Sequence, residues 1–275
     1  ATSAVCEGYS VMLIVGEKLN GTLGPVAQAI KSRDTRFVQE LALKQAEAGA
    51  DFIDLNAGTG PQEEPESLVW LIQAVERVTD VPLCVDSAEP AAILAGLEAV
   101  SRPALVNSIS GKEQLLSEVL PILSGRSWGV IALLLDDQGI PGTVEERLAI
   151  GRRLIARTRA AGVDDERVFV DPLAVAVSTR QDGALLALDT MTKLREEFPS
   201  IKFGLGLSNV SFGLPARKVL NRVFLTLAVA AGLDMAILDP LDDGLYSELR
   251  AAELLLGRDR FCRTYTKAFR AGRIG

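Results

Sequence analysis

Eight short runs of apolar and β-branched residues recur along the chain, at Met12–Gly16, Phe52–Asn56, Pro82–Ser87, Ala104–Ile109, Trp128–Leu135, Arg167–Pro172, Lys202–Ser208 and Met235–Pro240. They are nearly continuous in hydrophobicity rather than alternating, which is the pattern of strands covered on both faces of a parallel sheet. Longer stretches of helical period lie between them. In Thr35–Ala48 the apolar positions Phe37, Val38, Leu41, Ala42, Ala46 and Ala48 oppose Arg36, Glu40, Lys44 and Glu47, and Gly49 supplies the stop. Glu66–Val78, Pro90–Val100, Lys112–Leu123, Val144–Ala161, Gly183–Phe198, Pro215–Ala231 and Gly244–Leu256 have the same character. Pro25, Pro90 and Pro215 suit first helical turns.

Strand–helix alternation of this kind implies right-handed βαβ crossovers. Eight units in a chain of barrel size, roughly 250 residues, predict a closed parallel (β/α)8 barrel. An open doubly wound sheet usually carries a glycine fingerprint after its first strand, whereas this strand runs into Gly16-Glu17-Lys18-Leu19-Asn20-Gly21. No P-loop pattern occurs either. With no linker or low-complexity tract, residues 1–11 read as an N-terminal extension and 12–275 as one barrel domain.

Composition narrows the chemistry. Aromatics are 5% of the 275 residues and the formal net charge is −7, which excludes a base-stacking platform and a basic phosphate-binding face. No apolar run approaches the roughly 18 residues of a membrane span. Ala1–Ser10 has neither a basic start nor an apolar core, so no signal peptide is expected there. Cys6, Cys84 and Cys262 are odd in number and widely spaced, as reduced thiols of a soluble cytoplasmic protein would be, and they lack the CxxC spacing of a zinc site. Cys84, inside an apolar strand, reads as a packed core thiol. The chain contains no histidine, which removes Ser-His-Asp and Cys-His catalysis and every histidine-bearing metal site. No metal site is expected, and proton chemistry falls to carboxylates, amides, lysine, tyrosine or water.

In a barrel of this type the C-terminal strand ends form the active face. Those positions hold Glu17, Lys18 and Asn20; Asp54 and Asn56; Asp86 and Ser87; Asn107 and Ser108; Asp171; Ser208 and Asn209; and Asp239. Strand 5 runs instead into Asp136-Asp137-Gln138-Gly139, a turn. Each Asp or Asn after a strand has an ordinary structural reading as a helix cap or turn former. Asp239-Pro240 and Asp242-Asp243 are read that way, and Asp54, between Ile53 and Leu55, reads as an internal hydrogen-bonding residue. Taken as a set, Asn20, Asn56, Asp86, Asn107, Asp171 and Asn209 are expected to converge on one rim. Amides and acids without a basic cluster suit a neutral heterocycle rich in donors and acceptors. A pterin is such a ligand: its 2-amino and N3–H groups form a paired donor edge that a carboxylate accepts bidentately.

In order and spacing, Val15-Gly16-Glu17-Lys18-Leu19-Asn20-Gly21, Asp54-Leu55-Asn56, Leu83-Cys84-Val85-Asp86-Ser87, Val106-Asn107-Ser108, Val170-Asp171-Pro172 and Gly206-Leu207-Ser208-Asn209-Val210-Ser211 resemble the methyltetrahydrofolate:corrinoid methyltransferases. These are pterin-binding TIM barrels that include the folate domain of cobalamin-dependent methionine synthase, and the likeness runs from about Met12 to about Phe269. The resemblance implies that Asp86, Asn107 and Asp171 bind the pterin, with Asp171 on the 2-amino/N3 edge, and that Asn209 approaches N5. Ser208, Asn20 and Asn56 complete the expected pterin-binding set. Gln181-Asp182 also looks like a family feature. Phe212 departs from the pattern, since some relatives carry a polar residue there.

The implied reaction moves a methyl group between N5 of methyltetrahydrofolate, or a related tetrahydropterin, and the cobalt of a corrinoid held by a partner protein. Co(I) is a strong nucleophile, so the obstacle is the amine leaving group, and N5 needs a proton or a strengthening hydrogen bond. Asn209 is expected to carry that role, with Asp86 favouring the developing cation. The resemblance further implies a homodimer. Thr59–Glu64 and Phe212–Arg217 are candidate docking or lid segments for the corrinoid protein, and equally suit plain solvated loops. Two other readings stand beside this one. Dihydropteroate synthase shares the barrel but must grip a pyrophosphate, for which Arg217-Lys218 would be the basic residues. A non-catalytic pterin-binding subunit would keep the pocket and lose the transfer.

Overall fold

A computed structural model describes residues 11–275; Cys6 and the Ala1–Ser10 segment, where no signal peptide is expected, lie outside them. The strands are β1 (Leu13–Asn20), β2 (Phe52–Asn56), β3 (Leu83–Asp86), β4 (Leu105–Ser110), β5 (Gly129–Leu133), β6 (Val168–Asp171), β7 (Lys202–Gly206) and β8 (Met235–Leu238). They pair in parallel in chain order, and β8 returns to β1, so the sheet closes into the expected (β/α)8 barrel. The surrounding helices are α1 (Gly24–Ser32), α2 (Thr35–Glu47), α3 (Glu64–Glu76), α4 (Pro90–Ala99), α5 (Glu113–Leu123), α6 (Val144–Ala160), α7 (Gly183–Glu197), α8 (Arg217–Ala230), α9 (Asp243–Leu255) and α10 (Arg263–Arg270). Among the described residues no helix is long and apolar enough to cross a membrane.

The apolar side chains divide between two regions. The larger cluster, with Ile14, Ile53, Val85, Val106, Val130 and Val170 from the strands, fills the space between barrel and helices. The smaller one fills the lumen with Val15, Cys84, Leu105, Ile131, Phe169 and Met235. Cys84 is therefore a packed thiol, as read, and burial raises its pKa well above the ordinary range.

Two strand ends differ from expectation, and both shape the site. Strand β1 continues four residues beyond Gly16 because its register slips between Gly16 and Leu19. Buried Gln45 of α2 fills this bulge, its Oε1 accepting the Lys18 N–H at 3.0 Å. Strand β7 stops at Gly206, and Leu207–Ser211 forms a 3-10 turn, so Ser208 and Asn209 sit beyond the strand rather than on it. The Asp136–Gly139 turn forms as read. Helices α1 and α10 were not among the expected segments; α1 begins Gly24-Pro25, so Pro25 does occupy a first helical turn.

Candidate active site

Residues alternate across a strand, so two positions beyond each lumen-filling side chain another inward position follows. Here that second position is polar. Val15 is followed by Glu17, Cys84 by Asp86, Leu105 by Asn107 and Phe169 by Asp171, while Phe52 is followed by Asp54 and then Asn56. The register sets Asn20 beside Asn56, Asn56 beside Asp86, and Asp86 beside Asn107. A dry plug is thus overlain by a layer of acids and amides at the C-terminal mouth of the barrel. Above it opens a cavity of about 530 Å³.

Of the expected site residues, Asn20, Asp86, Asn107, Ser208 and Asn209 line this cavity together. Asn56 and Asp171 are not among the residues that line it. Asn56 Nδ2 donates to Asp86 Oδ2 at 2.9 Å, and so orients a lining residue. Asn20 keeps part of its ordinary reading, because its Oδ1 accepts from the Thr22 N–H and Oγ1 at 2.9 and 2.7 Å. Asp242 caps α9 and Asp239 accepts the Leu241 N–H, so both are turn and cap residues as read, though both also border the cavity.

Asp54 and Asp86 form a coupled pair at the floor. Asp54 is 2% exposed and accepts Asn107 Nδ2 at 3.3 Å. Burial raises both carboxyls, and the charge of Asp54 pushes Asp86 further, well above the usual carboxylate range. Two carboxyls this close in a buried floor resist ionising together, so each makes the other harder to charge.

Asp171 is fixed from behind. Its Oδ1 accepts the Leu173 N–H at 2.7 Å, and Leu173 has a left-handed backbone (φ 62°) that few side chains tolerate. Fully buried Arg147 of α6 holds that backbone, its Nη1 donating to the carbonyls of Pro172 and Leu173 at 2.6 and 3.0 Å. Burial raises Asp171 to about 6, against the lowering effect of the Leu173 and Gly206 N–H groups. Charge-assisted bonds of this kind contribute about 1.5–3 kcal/mol each, partly offset by the burial cost of the guanidinium. Arg147→Met is therefore expected to destabilise the fold by about 2 kcal/mol, read as a lower urea midpoint at unchanged slope. An unchanged midpoint would show that the clamp contributes nothing.

Asn209 is placed by a glycine and an arginine. A Cβ on Gly206 would lie 2.9 Å from Asn209 Nδ2, so only glycine lets this amide fold back over the strand end. Arg217 ties down the turn that carries Asn209, with Nη2 on the Ser208 carbonyl at 2.7 Å and Nε on Ser211 Oγ at 3.0 Å. Phe212, the departure from the family pattern, turns outward: it is 67% exposed, with the Arg217 guanidinium 5.8 Å from its ring. Asp182 is exposed and pairs with Arg180 at 2.7 Å.

Sequence reading places Glu17 past the end of its strand and outside the expected pterin-binding set. The β1 bulge instead lets Glu17 and Lys18, neighbours that a regular strand would point to opposite faces, both border the cavity. Burial pushes Glu17 up to about 7, with help from Asp239. The signal that could have found it is the Val15–Glu17 alternation. The cations at the mouth are engaged: Lys18 with Asp239 at 2.9 Å, Lys218 with Asp242 at 3.2 Å, and Arg217 with the Asn209 turn. Among the described residues the mouth thus offers acids and amides to a ligand, and its lining cations are paired or engaged rather than gathered for a pyrophosphate.

Residues 16–239 match the family model described as "Pterin binding enzyme". The chain is 40% identical over 266 residues to a methylcorrinoid:tetrahydrofolate methyltransferase of Eubacterium limosum, covering 96% of this chain and 98% of that protein. It is 31% identical over 240 residues to the methionine synthase of Mycobacterium leprae, covering 82% of this chain but only 20% of that longer protein. Among solved structures, a dihydropteroate synthase of Xanthomonas albilineans in complex with 7,8-dihydropteroate superposes with a TM-score of 0.67 at 19% identity, covering 89% of this chain and 93% of that one. At that identity the likeness shows the barrel alone.

Proposed function

Because this chain belongs to the pterin-binding enzyme family, we propose that it is a methyltransferase moving a methyl group between N5 of methyltetrahydrofolate and the cobalt of a corrinoid carried by a partner protein. The observation that carries this reading is the near full-length identity to a methylcorrinoid:tetrahydrofolate methyltransferase, joined to an acid-and-amide layer at a mouth of pterin size. Asp171 takes the 2-amino/N3 edge, Asp86 and Asn107, with Asn56 and Asn20 at their side, hold the ring, and Ser208 and Asn209 border N5.

The chemistry follows from the leaving group. An amine anion at N5 is very poor, so the C–N5 bond breaks readily only if N5 gains positive character. Asn209 donates its amide N–H toward N5, and Asp86, beside Asp54, favours the cation that develops. A corrinoid is too large for the packed barrel, so it arrives at the rim on its carrier, beside the 59–64 and 212–217 loops. The chain acts as a homodimer: Val219, Val223 and Leu227 form an exposed stripe on one face of α8 that self-association would cover. The unpaired thiols Cys84 and Cys262 fit the reducing cytoplasm.

Mixing the protein with methyltetrahydrofolate and Co(I) corrinoid tests the reaction. Catalytic loss of the Co(I) absorbance is expected. Pterin binding with no such loss would leave only a binding subunit, and condensation of a pterin pyrophosphate with p-aminobenzoate would make the chain a dihydropteroate synthase.

A further inference from the structure

We propose that Glu17 is the acid that gives a proton to N5 as the methyl group leaves and takes it back in the opposite direction; this rests on the pterin reading of the mouth. Asn209 can polarise N5, but an amide has no proton to release at neutral pH. The proton must come from a group that titrates there and faces the same part of the ring.

Glu17 meets the positional requirement. Two residues beyond the lumen residue Val15, it borders the cavity that Asn209 also lines. Strand β1 adjoins β8, and β8 adjoins β7, whose end carries the Asn209 turn. Arg217, bonded to that turn through Ser208 and Ser211, is close enough to act on the Glu17 charge. The other inward acids are committed: Asp54 accepts from Asn107, Asp86 from Asn56, Asp171 from Leu173 and Asp239 from Lys18. Among the described residues the Glu17 carboxyl has no side-chain hydrogen bond of its own, which leaves it available to a ligand atom.

Its surroundings set its titration. Burial is the largest influence and raises it; Asp239 after β8 and Asp54 of β2 raise it further, while Lys18 beside it and Arg217 of α8 lower it. Asp86, Asp242 and Lys218 also border the cavity. The balance leaves the group near 7, so both forms are populated at neutral pH, as reversible transfer requires.

The step balances without another reactant. The Glu17 O–H proton moves to N5, the electron pair of Co(I) forms the bond to the methyl carbon, and the C–N5 bond breaks with its pair left on nitrogen. Tetrahydrofolate with N5–H, methylcorrinoid and the Glu17 carboxylate result.

The test uses the wild-type protein, Glu17→Gln and Glu17→Asp. Transfer from methyltetrahydrofolate to Co(I) corrinoid by the wild type is expected to fall as pH rises through about 7. Glu17→Gln should be on the order of 100-fold slower with a flat profile from pH 6 to 8, at an affinity within about threefold of wild type. Glu17→Asp, which keeps a carboxyl, should lose less rate and retain the pH dependence. A second readout needs no corrinoid. Covering Glu17 with the ring favours its protonated form, so titration calorimetry of methyltetrahydrofolate in two buffers of different ionisation enthalpy should show proton uptake by the wild type near pH 7.5 and none by Glu17→Gln. Wild-type rate and pH profile in Glu17→Gln, with the pterin still bound, overturn the role of Glu17 alone. Failure of the wild type to bind methyltetrahydrofolate overturns the pterin reading and this proposal with it.

Discussion

Replacing Asn209 with alanine is expected to slow methyl transfer on the order of 10³-fold while changing the affinity for methyltetrahydrofolate by no more than about threefold. A preorganised donor aimed at an atom that changes charge contributes about 10²–10³ in rate, because its hydrogen bond strengthens only as the transition state forms. The fold has prepared such a donor. Gly206 leaves room for the amide to turn back over the strand end, and Arg217 anchors both flanks of its turn, so Asn209 needs little reorganisation during the reaction. Rate and affinity are to be measured separately, by single-turnover decay of Co(I) and by calorimetric binding. Equal losses in the two would mean that Asn209 contributes uniform binding and has no special part in breaking the C–N5 bond.

Asp171→Asn is expected to have the opposite signature, with affinity reduced about 150-fold and the rate of the bound complex little changed. A carboxylate offers about four acceptor positions, and the Leu173 and Gly206 N–H groups occupy two, which leaves two for the 2-amino and N3–H donors. An asparagine keeps one acceptor oxygen and presents an amino group where the pterin also donates. One charge-assisted bond is lost and a buried donor left unpaired, together about 3 kcal/mol, or roughly 150-fold. The sign of the pH dependence follows from the raised pKa. Asp171 is ionised above about 6, so wild-type affinity should fall as pH drops through that value, and Asp171→Asn should lack that fall. Asp171 does not itself line the cavity, and unchanged affinity in the variant would assign the donor edge to another residue.

The barrel was legible because its strands are buried on both faces and read as eight uninterrupted apolar runs. The convergence of the polar residues was legible for a related reason: Asp86, Asn107 and Asp171 each lie two places beyond a lumen residue of the same strand. What could not be read depended on distant groups. The bulge that brings Lys18 to the same cavity as Glu17 is completed by Gln45, from a helix that follows in sequence, and no local pattern around Gly16 announces it. The pairing of Asp54 with Asp86 depends on the register of β2 against β3. The clamp on Asp171 comes from Arg147, on a helix whose periodicity shows an arginine but not that it is buried. Helix α10 is only eight residues long, mostly polar or charged, with Ala268 its one buried residue, too short a stretch to read as a helix beside the longer ones.

A crystal structure with methyltetrahydrofolate bound tests most directly whether this mouth is a pterin site. The bicyclic ring should lie across the ends of β2 to β7, with its 2-amino and N3 atoms within hydrogen-bond distance of Asp171 and N5 next to Asn209. A ring seated outside the barrel mouth, or one whose N5 faces Asp171 and whose amino edge faces Asn209, would contradict the account.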